Sequence, residues 1–282
     1  MNQIFSLNRW LLLTRKHWSE NRKKYTLGLM ALTGIMIVWF IFNIIMEPYN
    51  AMDESIQYGT YYIGLFIVGC LYGSTLFSEL SSRPKGINYL SVPASHFEKT
   101  LSALLYGVVI FFLCYTLIFY VADFIMVKIA NAVSYAYWEK HYSDGQAFSP
   151  RKIVNVFWGN ERAGRVNINI FFLFLLSYFA IQSAFILGSV YFVKFSFIKT
   201  ALVLIAAFLF IIMFTGKVLG SFVPIGGFSN GFSTYHLYSD GDMDKIIRLP
   251  EWINSIVLFL LKYAFAPIFW VVTYFRLKEK EI

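Results

Sequence analysis

Residues 200–214 read TALVLIAAFLFIIMF, with no charge and no helix breaker. Such a stretch is apolar on every side, so it cannot lie as an amphipathic helix against a soluble core. Crossing the ~30 Å hydrocarbon layer of a bilayer takes about 20 apolar residues as a helix. Six segments approach that condition, at 27–46, 59–77, 101–122, 168–193, 200–220 and 253–275. The runs are continuously apolar and lack the period-two alternation of barrel strands, which excludes a closed β-barrel. With 58% of residues apolar and 14% charged, the expected fold is an all-α membrane protein of six transmembrane helices.

Lys and Arg counts set the expected orientation. With the N-terminus inside, the cytoplasmic pieces are 1–26, 78–100, 194–199 and 276–282, and they hold 14 of the 24 basic residues but 5 of the 16 acids. An even number of spans puts both termini in the cytoplasm. The net charge of +8 therefore reads as a topology signal. Nucleic acid is not an expected partner, because the basic residues are divided among loops. No small-residue cleavage site precedes the first span, so no secretory signal peptide is expected.

Ahead of the first span, residues 1–26 alternate apolar and basic side chains. Ile4, Leu7, Leu11 and Trp18 fall near one helical face, beside Arg9, Arg15, Lys16, Arg22, Lys23 and Lys24. That pattern predicts an amphipathic helix in the headgroup layer; a basic tail that only sets topology is the plainer alternative. The six-span domain would occupy 27–282. Gly69 and Gly73, and the ladder Ala180, Ala184, Gly188, have the small-residue spacing that lets helix backbones approach. The spacing does not say whether they seal one bundle or join two copies. Residues 123–167 form an expected external loop rich in Trp, Tyr and Asn. Lys194–Lys199 reads as a tight inner turn. The glycine-rich 217–250, broken by Pro224, Gly226, Gly227 and Gly231, is either a re-entrant segment or a plain external loop.

Catalytic chemistry is thin. His17, His96, His141 and His236 are scattered over both sides of the predicted membrane. Cys70 and Cys114 lie in different spans and read as small buried thiols. Asp240, Asp242 and Asp244 alternate in SDGDMDK, but the bidentate Glu of a calcium loop is missing. No phosphate-binding Gly-x-x-x-x-Gly-Lys-[Ser/Thr] loop occurs, so the chain is expected to be no enzyme, to bind no cofactor and no metal, and to leave any ATP hydrolysis to another polypeptide. Lys262 is the costly exception, a cation in an apolar span at about 2.5–3.5 kcal/mol on insertion scales. It either lines a translocation path for an anionic or amphipathic cargo or snorkels to the interface.

Between the second and third spans stands SSRPKGINYLSVPASHFEKTLSALL, residues 81–105. Pro84 and Gly86 should stop the preceding helix, Pro93 forces Val92 out of helical geometry, and Ser95 with Glu98 has capping-box spacing. The chain should leave the bilayer, run laterally and re-enter from a defined cap, presenting Ile87, Tyr89, Leu90 and Val92. Such a rigid elbow suggests a docking knob for another protein, against the alternative of a short linker on the membrane. The pattern Glu79, Gly86, Tyr89, Leu90, Pro93, Ser95, Glu98, Lys99 resembles the coupling loop of ABC type 2 permeases, the membrane subunits of one exporter class. Family members often have threonine after the loop glycine; here it is Ile87.

The resemblance implies six spans, an inner-surface N-terminal helix, and a coupling loop that docks on a separate ATP-binding subunit carrying ATP and Mg. It also implies a second permease protomer, identical or not, in a bacterial inner (cytoplasmic) membrane. Beside the exporter stands another reading: a structural or sensory membrane subunit of an ABC-like complex that binds an external protein through 123–167. A membrane enzyme would need polar residues converging at one depth, which the sequence lacks.

Overall fold

The structure is a computed structural model that describes residues 5–141, 148–157, 170–214, 226–229, 234–239, 242–248, 250, 252, 255–256 and 259–280. Its first helix, α1 (Leu7–Met46), is unbroken. The expected boundary between an interfacial helix at 1–26 and a first span at 27–46 is absent, because the junction WSENRKKYTLGLM holds good helix formers and no proline. Forty residues at ~1.5 Å each make α1 about 60 Å long, twice the apolar thickness of a bilayer. Ile4 lies outside the described residues. Leu7, Leu11, Leu12 and Trp18 are exposed, as an apolar stripe in a headgroup layer requires.

Helix α2 (Glu54–Thr75) runs back toward the start of α1, and α3 (Arg83–Ser91) is a short helix after a 3-10 turn at Ser78–Ser81. Next, α4 (His96–Leu104), a π-helical turn (Leu105–Ile110) and α5 (Phe111–His141) form one continuous helix, His96–His141. The part of the expected external loop at 123–141 is therefore helical. It contains neither glycine nor proline to stop the helix, and Lys140 and His141 suit its last turn. The chain continues as α6 (Ile170–Tyr191), α7 (Ser196–Met213) and α8 (Phe265–Lys278). Among the described residues, four helices are long and apolar enough to cross a membrane: Leu7–Met46, His96–His141, Phe172–Tyr191 and Ser196–Met213.

The described part of 217–250 is neither a broken helix nor an irregular loop. It is a three-stranded antiparallel meander, β1 (Gly226–Ser229), β2 (Thr234–Ser239) and β3 (Asp242–Arg248), in the order β1-β2-β3. Ser239 pairs with Asp242, so Asp242 and Asp244 belong to a strand; Asp240 lies outside the described residues. This small sheet is the one departure from the all-α expectation among the described residues.

Helix α6 packs against α2, α7 and α8, and the small residues make that possible. A Cβ on Gly69 would come within 2.6 Å of the Tyr178 ring, and one on Gly73 within 3.4 Å of the Gln182 carbonyl. A Cβ on Gly188 would collide with Thr200 of α7. These glycines seal the bundle from within. The π-turn serves the same junction: its widened backbone leaves the Gly107 carbonyl to accept from Gln182 Nε2 at 2.9 Å. Between α6 and α7 the tight turn passes through Phe195 at φ 55°, a left-handed conformation unusual for a bulky residue. Beyond Thr200, α7 leaves most of its apolar side chains exposed.

The main core lies among α1, α2 and α5, around the fully buried Phe40, Tyr61, Leu65, Tyr115 and Phe119. Where lipid replaces water, dispersion and hydrogen bonds hold helices together. Tyr61 and Phe119 pack edge-on at 5.0 Å, a pairing worth about 0.5–1.5 kcal/mol. The Tyr115 hydroxyl donates to the Tyr61 carbonyl at 2.8 Å, and the Tyr61 hydroxyl shares a bond with Thr116 at 3.0 Å.

At the far end of α1, residues 148–157 lie as a strap across the bundle. Gln57, fully buried, donates to the carbonyls of Met52 (2.8 Å) and Lys152 (3.1 Å) and accepts from the Val154 amide at 3.1 Å. Asn131 of α5 exchanges two bonds with the Arg151 backbone, at 2.7 and 3.0 Å. The Tyr62 hydroxyl donates to the Val156 carbonyl at 2.6 Å. Ser134 ties α5 to the Pro48 carbonyl at 2.7 Å.

Candidate functional site

The elbow is built at the opposite end. Helix α2 stops where Ser74 and Thr75 turn their hydroxyls onto the Leu71 and Tyr72 carbonyls at 2.7 and 2.8 Å, competing with helix continuation. Pro84 does not end a helix, as the sequence reading expects; it occupies the first turn of α3, where a missing N–H is harmless. The Gly86 amide donates to the Ser82 carbonyl at 2.9 Å. Helix α3 ends at Val92 (φ −57°, ψ 126°), which the following Pro93 bars from the α region.

Helix α4 then starts from a complete capping box. The Glu98 amide donates to Ser95 Oγ at 3.1 Å, and the Ser95 amide donates to Glu98 Oε2 at 2.9 Å. Glu98 does more than a cap requires. Its buried carboxylate also accepts from Arg9 Nε (2.7 Å) and Nη2 (2.8 Å) and from the Ser6 amide (2.8 Å). Each oxygen therefore receives one guanidinium bond and one backbone amide bond, which fills the roughly four acceptor sites of a carboxylate. One side chain closes the start of α4 and holds the start of α1, 92 residues away. A second brace joins the same helices where the Tyr106 hydroxyl donates to the Thr14 carbonyl at 3.0 Å.

Lys99, nearly fully buried, donates to the Leu90 carbonyl at 3.0 Å and stands 5.6 Å over the Tyr89 ring. It pins the C-terminus of α3, where unpaired carbonyls attract a cation. Tyr89 packs edge-on to Phe77 at 6.4 Å, and Leu90 packs on the cluster of Phe77, Leu80, Val108, Ile186, Val190 and Leu277. Both are half-buried and turn toward the bundle, so the expectation that they are presented outward does not hold. The exposed face of α3 is Pro84, Ile87, Asn88 and Ser91, at the spacing of one helical stripe, with Ile87 55% exposed at its centre.

Among the sequence-predicted residues, the fold gathers Gly86, Tyr89, Leu90, Pro93, Ser95, Glu98 and Lys99 at one corner. Glu79 stands across a cleft from them, half-buried between the elbow and α1. Burial, then repulsion from Glu20, raises its carboxyl above the usual range, while Lys24, Lys16 and Lys85 pull it back. Lys262 lies elsewhere, half-buried in the π-helical turn Leu260–Ala264. That turn precedes Pro267, which cannot donate to the Tyr263 carbonyl. Two partners are invisible to local sequence reading: Arg9 and Ser6 meet Glu98 only through tertiary structure. Asp123 is also unforeseen. Hydropathy places it in a loop, yet it is fully buried in α5 with neither oxygen bonded among the described residues.

No ion-ligating cluster of His, Cys, Asp or Glu occurs among the described residues, and Cys70 and Cys114 are free. The described part of the chain is a mostly helical fold of membrane-protein character, with four helices among the described residues long and apolar enough to cross a bilayer. No family model, no curated protein and no solved structure matches the chain.

Proposed function

We propose that this chain is the membrane permease subunit of an ATP-driven exporter resembling the ABC type 2 class. In this reading it has six spans and both termini in the cytoplasm of a bacterium, works as a dimer, and docks a separate ATP-binding subunit through residues 83–99. The observation that carries the reading is the elbow itself: a short helix with an exposed stripe at Ile87, followed by a helix capped at Ser95 and locked through Glu98 to α1. A rigid lever of this kind transmits motion from a partner into two membrane helices at once. ATP and Mg would sit on the partner. The chain needs only two arrangements that contact that partner differently, so that nucleotide shifts their populations.

The test follows from the orientation of α3. Changing Tyr89 or Leu90 disturbs packing, whereas Ile87→Asp alters the exposed stripe alone. The full chain is extracted from its native cells in mild detergent and its co-purifying subunits are identified by mass spectrometry. A stoichiometric ATP-binding protein, lost in Ile87→Asp at unchanged thermal stability, supports the proposal. Absence of any ATPase from the wild-type complex overturns it. A second reading, a structural or sensory subunit that binds an external protein without passing cargo, draws on the rigid strap at 148–157. ATP turnover that responds to an external protein without flux would favour it.

A further inference from the structure

Two cavities meet at Lys24. One is a polar cleft of about 390 Å³ between the first half of α1 and the elbow, edged by Lys16, Lys24, Lys85 and Lys99 with Glu20 and Glu79. The other is a fissure of about 380 Å³ among α1, α2 and α5, lined by Leu29, Leu32, Val68, Ile110 and Phe111 and by aromatic rings. Both lie in the volume range of small-ligand sites, ~300–1,000 Å³. Rings mark the level at which one becomes the other: His17 bonds the Tyr25 hydroxyl at 2.6 Å and packs 4.7 Å from Tyr106. Such rings characterise the headgroup level of a bilayer.

The charges at the junction are not internally balanced. Lys16 reaches Glu20 at 3.8 Å in an exposed pair, and Lys99 is committed to the Leu90 carbonyl. Lys24 and Lys85 form no ion pair among the described residues, and of the carboxylates in the cleft they act at longer range on Glu79. An occupant must therefore carry an apolar tail for the fissure and a negative head for these two amines. We propose that the chain holds one anionic phospholipid here, its acyl chain between α1, α2 and α5 and its headgroup at Lys24 and Lys85. The site stands independently of ATPase docking: it needs neither the exposed stripe of α3 nor a partner subunit.

Gly28 gives a clean means of blocking it. The residue borders the fissure, and a Cβ there would meet nothing within 4 Å. Gly28→Leu should therefore fill the space without a backbone clash. Gly34 is equally open but lies outside the fissure, so Gly34→Leu controls for the loss of a glycine.

The experiment is native mass spectrometry of the full chain, released from vesicles of equal phosphatidylglycerol and phosphatidylcholine. One retained phosphatidylglycerol per chain, in clear excess over phosphatidylcholine, is expected. Lys24→Glu should lower that retention by about fivefold or more, since each basic residue near a lipid surface contributes about that factor. Gly28→Leu should lower it while Gly34→Leu does not. Equal retention of the two lipids, or wild-type retention in both Lys24→Glu and Gly28→Leu, overturns the proposal. Full displacement by glycerol phosphate alone would show a headgroup-only anion site and overturn it as well. Should Gly28→Leu fail to fold, Lys24→Glu and the lipid preference still decide.

Discussion

The two ends of this bundle are held by opposite chemistries. At the strap end, Gln57 and Asn131 spend neutral amide groups on backbone carbonyls and amides, and hydroxyls of Tyr62 and Ser134 complete the clamp. At the elbow end a single ionised carboxylate, Glu98, gathers a guanidinium and two backbone amides. Neutral clamps satisfy the buried polar groups they join. The charged hub leaves an exposed stripe at Ile87 and a cleft edged by Lys24 and Lys85, which form no ion pair among the described residues. A surface meant to receive a partner or ligand needs that surplus; a surface meant only to be closed does not. That contrast supports the docking proposed at the elbow.

The largest expected effect comes from removing the hub. Glu98→Ala deletes the cap of α4, the tie to Ser6 and the fork to Arg9 together. Cap losses alone are typically ~1 kcal/mol each, and ~2–4 °C per kcal/mol applies to chains near this size. The thermal midpoint in detergent should fall by about 4–8 °C, and trypsin should cut the exposed Arg15–Lys16 bond faster. An unchanged midpoint and digestion rate would show that the hub is not what holds α1 to α4.

Next in size is the neutral clamp. Gln57→Leu leaves the Val154 amide and the Lys152 carbonyl without partners, at about 1–3 kcal/mol for each group that stays buried. The strap should loosen, so a cysteine placed at Val154 should become reactive to a membrane-impermeant maleimide in this variant. The elbow should be unaffected, with trypsin cutting at Arg15 as in wild type. Faster cutting there would mean that the two ends are coupled through the shafts, which would undo the contrast.

A third test sits between the ends. Asp123 is buried with neither oxygen bonded among the described residues. Replacing an unsatisfied polar group by an apolar one of similar size is neutral or stabilising. Asp123→Leu should keep or raise the midpoint, measured beside Gln57→Leu, which lowers it. A sharp fall would assign Asp123 a partner of its own.

How much of this was legible in the sequence depends on the range of the interaction. The apolar runs announce helices, and each predicted span overlaps one. The capping box at Ser95 and Glu98 is local chemistry and is found where the spacing puts it. Helix ends were less legible: α1 and α5 run on through polar stretches because charged residues without Gly or Pro do not stop a helix. Hydropathy marks where lipid ends, not where the helix does. The β-meander was missed although Asp240-Gly241 is a strong hairpin signal; glycine and proline nearby read instead as breaks. Arg9 and Gln57 could not be found from spacing at all, since their partners lie far away along the chain. Tyr89 and Leu90 are expected to face outward and instead pack inward, because a nine-residue helix exposes whichever face the neighbouring cluster does not cover.

The smallest effect should appear at a charged contact of the strap. Arg151 approaches Asp53 at 3.6 Å. The Asp53 carboxyl is held below its usual value, first by the Ser55 hydroxyl, which donates to it at 2.8 Å, against a smaller opposing effect of burial and with help from Arg151. A carboxyl depressed in the folded state stabilises fully above its unfolded value and loses that contribution as pH falls through the folded one. Acidification below about pH 4 should therefore loosen the strap slightly in wild type and not in Asp53→Asn. Because the pair is half-exposed, the difference should be small beside the loss of Gln57, read as reactivity of the Val154 cysteine across pH toward a pyridyl disulfide, which stays thiol-reactive in acid. An equal pH response in wild type and Asp53→Asn would assign the loosening to another acid. A response as large as that of Gln57→Leu would mean that charge, and not the neutral clamp, holds this end too.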